Sequence, residues 1–508
     1  MPPLRAIASR ACDGCRRRKV KCDTLQPCAN CRISRLACEY TVSARKRGPK
    51  VAKLTDATVE NLTAPRNTVS LTPQQSPPSD VSTRTQQDQL SLWRLVGDKS
   101  SPVIGPLDPC RLFRQIHDNL LLSIRMTLSS VDILDIVSYC IDLYMQYTFP
   151  TAPLVHEPSL RASAVTLFGN DALLAQFDEE NEEQRVAHMR VFALVTALCA
   201  SVSCIMPEYL LPYGQLITAP FFQASREMLS GFGIYDLEYP SSSSLVTRVF
   251  HSTVFQHTTG KTGAAWHVYG HAALLAQSLR LYSEQSVLSH GPVESCLLRM
   301  NFWHLYMSDK AASAMRTRPY LLDESTFDEA LTLEPYPPEH VLMFDPGRVH
   351  EEDTFQARIL TGFHLYRRIW STGASLLRQI QTYQAAQPGK DVRPVAREYQ
   401  RFMGMLDNLP SWLRISDIVN HQDDTQGSLS RKSSFWVQRS TIMVTFYCLG
   451  LIALQQCIDD GVCEVAGFSD GSSTLLSKKI DMIQNFVQTL EDIPFLYLQV
   501  KGEPNVST

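Results

Sequence analysis

Six cysteines near the N-terminus are the residues whose type and spacing most clearly predict chemistry. The segment reads CDGCRRRKVKCDTLQPCANCRISRLAC, which is C-x2-C-x6-C, a five-residue loop, and the same pattern again. Thiolates are preferred zinc ligands, and six of them complete two tetrahedral sites only if two sulfurs bridge both metals. We therefore predict a site for two zinc ions. Its ligands are Cys12, Cys15, Cys22, Cys28, Cys31 and Cys38.

A redox or disulfide cluster is the alternative interpretation of the same cysteines. Disulfide frameworks are typical of small secreted chains, whereas residues 1–11 lack the apolar stretch of a signal peptide. The other eight cysteines are scattered, as expected of reduced thiols in a core. We therefore expect an intracellular protein whose short cysteine-rich segment folds around metal.

Five of the six residues between the second and third cysteines are basic, Arg16-Arg17-Arg18-Lys19-Val20-Lys21. Such charge density is unfavourable unless an anionic partner faces it, and a phosphate backbone is the simplest one. Arginine and lysine also donate to guanine O6 and N7, so the run suits the reading of G-rich DNA. A merely solvated helix face is the alternative.

The cysteine segment resembles the fungal zinc binuclear cluster family, whose best-known member regulates galactose genes. The match covers about 30 residues and includes Pro27 in the loop between the halves. The resemblance implies that Cys12 and Cys28 bridge both metals and that the other four cysteines each serve one. It also implies that Arg18 and Lys19 contact the bases of a CGG triplet in the major groove. Arg16, Arg17 and Lys21 would then contact phosphates, which position the protein without reading sequence.

A second basic run, Arg45-Lys46-Arg47-Gly48-Pro49-Lys50, follows the cluster. It has three interpretations: a nuclear import signal, an arm that contacts the DNA backbone, or a minor-groove reader similar to an AT-hook. We favour import with backbone contact for Arg45, Lys46, Arg47 and Lys50, because the central Arg-Gly-Arg-Pro of an AT-hook is missing. The predicted location is the nucleus.

Charge and composition divide the 508 residues into three predicted parts. Residues 1–50 contain 13 Lys and Arg against 3 Asp and Glu, whereas the rest contains 35 against 48. We predict a binuclear zinc cluster domain with a basic tail at 8–50 and a disordered linker rich in Ser, Thr, Pro and Gln at 51–105. Residues 106–508 are predicted to form a large all-α regulatory domain, because apolar residues recur there at helical spacing.

Two helices of this domain can be read directly from the pattern. In the first, an apolar face is marked by Ala265, Val268, Tyr269, Ala272, Leu275 and Leu279. The second is predicted to begin at Gly291-Pro292 with Glu294 in its first turn. Its inward residues are Leu298, Phe302, Leu305 and Tyr306.

Residues 140–345 resemble the regulatory middle region that accompanies this zinc cluster in many fungal factors. Three segments carry the resemblance: Tyr147–Arg161, Ala264–Leu281 and Leu297–Glu324. Each reads as helices and turns, so the resemblance implies an all-α domain without a catalytic group.

Three patterns point elsewhere and are rejected. Thr259-Gly260-Lys261-Thr262 imitates the end of a phosphate loop, but Phe255 stands where the opening glycine belongs. His267 and His271 have a metal-ligand spacing without a third ligand, so we predict core or groove histidines. The apolar run Thr441–Cys457 is too short to span a membrane and is predicted to be a buried helix. We therefore predict neither an enzyme nor a membrane protein.

The sequence thus predicts a zinc-dependent transcription factor for RNA polymerase II that regulates metabolic or biosynthetic genes. Its predicted partners are double-stranded DNA with CGG-type elements and the transcription machinery or co-regulators. A zinc module for protein or RNA contacts is the alternative. Val51, Leu54 and Leu62 could begin a coiled-coil seam, but Thr58 and Asn61 interrupt it and Pro65 ends it. Binding as a monomer and homodimer pairing through the helical domain are therefore both left open.

Overall fold

The computed structural model describes two units of the chain, residues 1–100 and 101–508, and each is presented by itself. The described residues are 11–13, 15, 22–28, 31–32, 38–40, 109–169, 181–315, 318–347, 352–384, 391–420, 430–467 and 471–501. The predicted linker and the two basic runs, 16–21 and 45–50, lie outside them. The domain boundaries at 50 and 105 therefore stay predictions.

Helices dominate the described part of the second unit, which contains no strand and confirms the all-α prediction. The helices are α1 Pro109–Thr127, α2 Ile133–Leu143, α3 Glu157–Phe168, α4 Glu182–Ile205, α5 Gly214–Gly231, α6 Gly233–Glu238, α7 Ser242–Thr259, α8 Thr262–Ser278, α9 Glu284–Leu288, α10 Pro292–Ala314, α11 Glu352–Gln384, α12 Arg393–Met403, α13 Ile415–Asn420, α14 Arg431–Asp459, α15 Gly471–Asp492 and α16 Leu496–Gln499. A π-helical turn, Tyr144–Thr148, continues α2. Single 3₁₀ turns lie at Glu324–Thr326, Gly404–Leu406, Ser411–Leu413 and Cys463–Ala466.

Two long apolar helices organise the core of this unit. Helix α4 packs against α5 and α7, and α14 packs against α11 and α15. Both are long and apolar enough to cross a bilayer, yet most of each apolar stretch is buried inside the fold. A long apolar helix in a globular fold is usually buried among its neighbours, and the helices packed on α4 and α14 cover most of these two. The predicted buried helix at Thr441–Cys457 lies within α14 and is confirmed.

Both helices read from the sequence pattern are present. Helix α10 begins at Pro292 after Gly291, and its four predicted inward side chains are buried. Helix α8 buries four of the six predicted residues, whereas Val268 is half-buried. Leu279 was placed on the helical face but lies just beyond the last helical residue and is also half-buried.

Buried charges fasten the segment between α10 and α11 onto the helices. The Asp309 carboxylate is fully buried and accepts hydrogen bonds from the backbone N–H groups of Leu321 and Leu322 at 2.8 and 3.0 Å. Arg299 is also fully buried and donates to the carbonyl of Glu334 in this segment at 2.8 Å, as well as to Glu284 of α9 at 2.6 and 2.7 Å. Since an unpaired buried charge is costly, these partners hold the segment in place.

The structure also shows where the phosphate-loop-like segment and the paired histidines lie. The phosphate-loop imitation is the turn between α7 and α8, where Gly260 ends α7 with φ +60°, a conformation that favours glycine. His267 and His271 are exposed on α8 with ring centroids 4.6 Å apart, so of the two predicted positions, core or groove, the core is wrong. Within the described ranges, neither histidine belongs to a group of three possible metal ligands.

Candidate metal centre

Four cysteine side chains from the two halves of the repeat meet in one buried cluster. Cys12, Cys15, Cys28 and Cys31 are fully buried, and their sulfur atoms all lie within 4.8 Å of one another. The Sγ of Cys12 is 3.7 Å from that of Cys28 and 3.6 Å from that of Cys31. The Sγ atoms of Cys15 and Cys28 are 3.5 Å apart. The shortest contacts therefore join one half of the repeat to the other.

The last cysteine of each half lies against the first cysteine of the same half. The backbone N–H of Cys12 donates to the Sγ of Cys22 at 3.5 Å. In the second half, the N–H of Cys28 donates to the Sγ of Cys38 at 3.3 Å. The repeated spacing in the sequence is thus matched by a repeated hydrogen-bond pattern, and it brings all six predicted ligands to one unit.

Backbone donors favour the anionic form of two particular sulfurs. The N–H of Cys15 donates to the Sγ of Cys12 at 3.3 Å and lowers the pKa of Cys12 to about 6. The N–H of Cys31 donates to the Sγ of Cys28 at 3.4 Å and lowers the pKa of Cys28. Burial instead raises the pKa of Cys15 and brings that of Cys31 to about 12. The backbone donors therefore favour the thiolate form of Cys12 and Cys28 relative to that of Cys15 and Cys31.

Helical residues follow Cys12 and Cys28 in the two halves of the repeat. Asp13 and Cys15 are helical in the first half, and the N–H of Arg32 donates to the Cys28 carbonyl at 2.9 Å in the second. An N-terminal helical turn leaves backbone N–H groups without carbonyl partners. The N–H groups of Cys15 and Cys31 are of this kind, and they donate to the sulfurs of Cys12 and Cys28.

Tyr40 breaks the symmetry of the two halves, and sequence reasoning missed it. Its hydroxyl donates to the carbonyl of Leu25 at 3.1 Å and lies 3.8 Å from the Sγ of Cys22. Next to it, the N–H of Asp13 donates to the carbonyl of Glu39 at 2.8 Å. These two hydrogen bonds hold the segment after the last cysteine against the cluster. Its position two residues beyond the final cysteine was the available signal.

The donor set fits zinc. Four thiolates around a tetrahedral zinc ion at about 2.3 Å lie about 3.8 Å from one another. The measured contacts of 3.5 to 3.7 Å between Cys12, Cys15, Cys28 and Cys31 approach that spacing. Cys22 also has its sulfur within 4.8 Å of that of Cys28. Sulfur donors in a small unit with few apolar residues are typical of a structural zinc site.

Comparison with known protein families decides between the interpretations of this cluster. The fungal Zn(2)-Cys(6) binuclear cluster domain matches residues 10–47, and the fungal specific transcription factor domain matches residues 141–345. The chain therefore carries the two domains of a fungal zinc binuclear cluster transcription factor. Zinc binding follows from the first domain, and the loose resemblance over 140–345 is confirmed by the second.

Three curated transcription factors and regulators are similar to parts of this chain. The abscisic acid cluster transcription factor abl7 of Leptosphaeria maculans is 29% identical over 173 residues, covering 29% of this chain and 28% of that protein. The maltose fermentation regulatory protein MAL13 of Saccharomyces cerevisiae is 51% identical over 47 residues, 9% of this chain and 10% of that protein. The transcription factor PDR1 of the same yeast is 42% identical over 59 residues, 12% and 5%.

These alignments cover little more than a quarter of abl7 and a tenth or less of the two yeast proteins. No solved structure matches the chain. The matched families and relatives are transcription factors rather than enzymes, in agreement with the prediction of a non-enzyme.

The predicted DNA contacts keep their status as predictions. The base-reading and phosphate-contacting positions between Cys15 and Cys22 lie outside the described residues, as does the basic arm at 45–50. The structure shows how this segment is attached at its two ends, because the cysteines on both sides of residues 16–21 belong to the cluster.

Proposed function

We propose that the N-terminal unit is a zinc-dependent module that binds double-stranded DNA at CGG-type triplets. The observation that carries the proposal is the convergence of sulfurs from both halves on Cys12 and Cys28. A cluster built in this way holds the two halves together as one rigid support. The basic run that leaves Cys15 is then presented to DNA from a fixed base.

Two zinc ions are the proposed cofactors. Cys12 and Cys28 would bridge them, because each has its sulfur near ligands of both halves and accepts a backbone hydrogen bond. The other four cysteines, Cys15, Cys22, Cys31 and Cys38, would each bind one metal. When bound, zinc supplies folding free energy that this short segment cannot obtain from an apolar core.

The family resemblance assigns sequence reading to Arg18 and Lys19, whose side chains suit guanine O6 and N7 in the major groove. Arg16, Arg17 and Lys21 would contact phosphates. The arm formed by Arg45, Lys46, Arg47 and Lys50 would support nuclear import and contact the DNA backbone. The protein would therefore act in the nucleus. Because basic side chains would contact phosphates, its affinity for DNA should fall as the salt concentration rises.

The second unit is proposed to regulate this DNA-binding module through protein partners. The transcription machinery of RNA polymerase II, co-regulators and a second copy of the chain are the candidate partners, and metabolic or biosynthetic genes are the candidate targets. A large helical surface without a catalytic constellation in its described residues suits partner recruitment.

The test compares two substitutions in the full chain loaded with zinc. Lys19→Ala should cost about 1–3 kcal/mol on a CGG duplex and reduce the preference over a scrambled duplex. Arg17→Ala should weaken binding to both duplexes equally and reduce the salt slope by about one unit. Fluorescence anisotropy at several salt concentrations measures both effects.

Chelation of zinc provides the matched control, because it should abolish CGG binding by wild type. Equal affinity of wild type for CGG and scrambled DNA would refute the proposed sequence reading. Unchanged binding after chelation would refute zinc dependence.

A further inference from the structure

The guanidinium of Arg367 on α11 has no acidic partner. It lies over the ring of Trp303 on α10, with its central carbon 4.1 Å from the ring centroid. Its Nε is buried without a hydrogen bond, and within the described residues no carboxylate forms an ion pair with it. An arginine withdrawn from water normally has charged or hydrogen-bonded partners, because desolvation of its charge is costly. The stack on Trp303 covers one face of the guanidinium and gives its N–H groups no acceptor.

Two neighbouring side chains also have unused hydrogen-bonding nitrogens. His364 is 3% exposed, and neither Nδ1 nor Nε2 has a partner in the described part of the chain. The carbonyl of Pro335 approaches this ring without the geometry of a hydrogen bond. Arg299 is fully buried and uses its two terminal nitrogens, but its Nε has no partner. Burial, followed by the charges of Arg367 and Arg299, lowers the pKa of His364 to about 3, so the three side chains form one electropositive cluster.

The carboxylates of the surrounding segments have partners of their own. Glu284 accepts two hydrogen bonds from Arg299 at 2.6 and 2.7 Å. Glu324 accepts a hydrogen bond from the hydroxyl of Tyr306. Neither carboxylate pairs with Arg367, so the described residues do not balance the positive charge of the cluster beside Trp303.

The cluster reaches the surface of the second unit at its outer edge. Arg367 is half-buried, and Tyr336 is 46% exposed. The ring of Tyr336 contacts that of His364, with centroids 4.7 Å apart. A small solute can therefore approach Arg367 and His364 from the side of Tyr336, whereas Arg299 lies deeper.

We propose that Arg367, His364 and Arg299 form a binding site for a small oxyanion, a carboxylate or a phosphate group. A guanidinium that lies flat on an indole presents its N–H groups at its edge, which fits two oxygens of one anion. A neutral imidazole adds one N–H donor, and Arg299 adds positive charge behind both. This site lies in the helical unit and is separate from the proposed DNA contacts.

Isothermal titration calorimetry of the zinc-loaded full chain with inorganic phosphate and with succinate tests the site. Wild type should bind at least one of these anions with a dissociation constant below about 5 mM. Binding of phosphate alone identifies a phosphorylated ligand, and binding of succinate alone identifies a carboxylic acid. Binding of both identifies a site for oxyanions in general.

Substitutions at one position test the role of the planar guanidinium. Arg367→Met keeps an aliphatic stem over Trp303 and should weaken anion binding at least about tenfold. Arg367→Lys keeps the charge without the planar fork and should weaken it severalfold. Arg368→Met is the matched control, because Arg368 is the next residue of α11 and is exposed. It should leave the affinity unchanged, and it retains any anion binding by the basic N-terminal runs.

Thermal melting separates a binding site from a structural contact. In buffer without oxyanions, Arg367→Met should be at least as stable as wild type, because it removes an enclosed charge that has no acidic partner. Millimolar anion should raise the melting temperature of wild type but not of this variant. His364→Asn takes its place if Arg367→Met does not fold.

The proposal is overturned if neither anion binds at about 10 mM, or if wild type and Arg367→Met bind equally well. An Arg367→Met variant that is less stable than wild type without anion would identify a structural contact instead. These measurements need no DNA, so their outcome is independent of CGG binding.

Discussion

At Cys12 and Cys28, two kinds of contact converge on the same sulfur atoms. Each sulfur accepts a hydrogen bond from a backbone N–H three residues later, and each contacts sulfur from the other half of the repeat. A bridging thiolate shares its charge between two metals and benefits from additional donors. These two positions should therefore be the least tolerant of substitution in the cluster.

Zinc content measures this difference between residues. We expect two zinc ions per wild-type chain by elemental analysis, and fewer than one in Cys12→Ser, because loss of a bridging sulfur disturbs both metals. Cys204→Ser, in the second unit, is the control and should retain two. One zinc ion or none in the wild type would rule out the bridged cluster.

Among the helices, the start of α7 depends on a side chain from a different element. Glu294 lies in the first turn of α10, where a carboxylate is favourable on its own. Its carboxylate also accepts hydrogen bonds from the backbone N–H and the hydroxyl of Ser242, both at 2.6 Å. One residue therefore stabilises the N-termini of two helices that pack against each other.

Removal of this carboxylate should cost more than an ordinary surface substitution. We expect Glu294→Ala to lower the free energy of unfolding by about 1–3 kcal/mol, since charged hydrogen bonds at a helix start are lost. Urea titration followed by circular dichroism measures the change. Exposed Glu339→Ala is the control and should stay within about 0.5 kcal/mol of wild type. Equal effects of both substitutions would contradict the shared cap.

On the scale of the whole molecule, several histidines of the second unit are buried without charge. Burial lowers the pKa of His251 to about 3, of His304 to about 4 and of His364 to about 3. In each case a nearby cation lowers the pKa further. The unfolded chain therefore binds protons more readily than the folded chain between about pH 6.5 and 3. The stability from these groups is present above pH 6.5 and is lost as the pH falls.

His251 offers the clearest test of this acid sensitivity. Its Nε2 lies 2.7 Å from the hydroxyl of Ser225, and Arg226 and Arg248 oppose its protonation. Between about pH 7 and 5, its contribution to stability should fall by about 2 kcal/mol. His251→Gln should remove that part of the loss in urea titrations at the two pH values. Exposed His267→Gln should not, and an unchanged loss in His251→Gln would contradict the assignment.

The sequence by itself determined the metal chemistry and the helical class of this protein. The cysteine spacing is a local property, because ligands within 27 residues leave few ways to surround a metal. The start of α10 at Pro292 was also local, since proline and the acidic first turn act within a few residues. The apolar period likewise predicted most of the buried residues of α8.

Only the tertiary structure decided which residues meet over long separations. The bond between Glu294 and Ser242 and the contact of Tyr40 with Leu25 do not appear in any local pattern. The spacing of apolar residues indicates that one side of a helix is shielded from water, but it does not show which residues cover that side. Of the core or groove positions predicted for the two histidines of α8, the core is wrong for this reason, because exposure depends on neighbouring helices that sequence spacing does not specify.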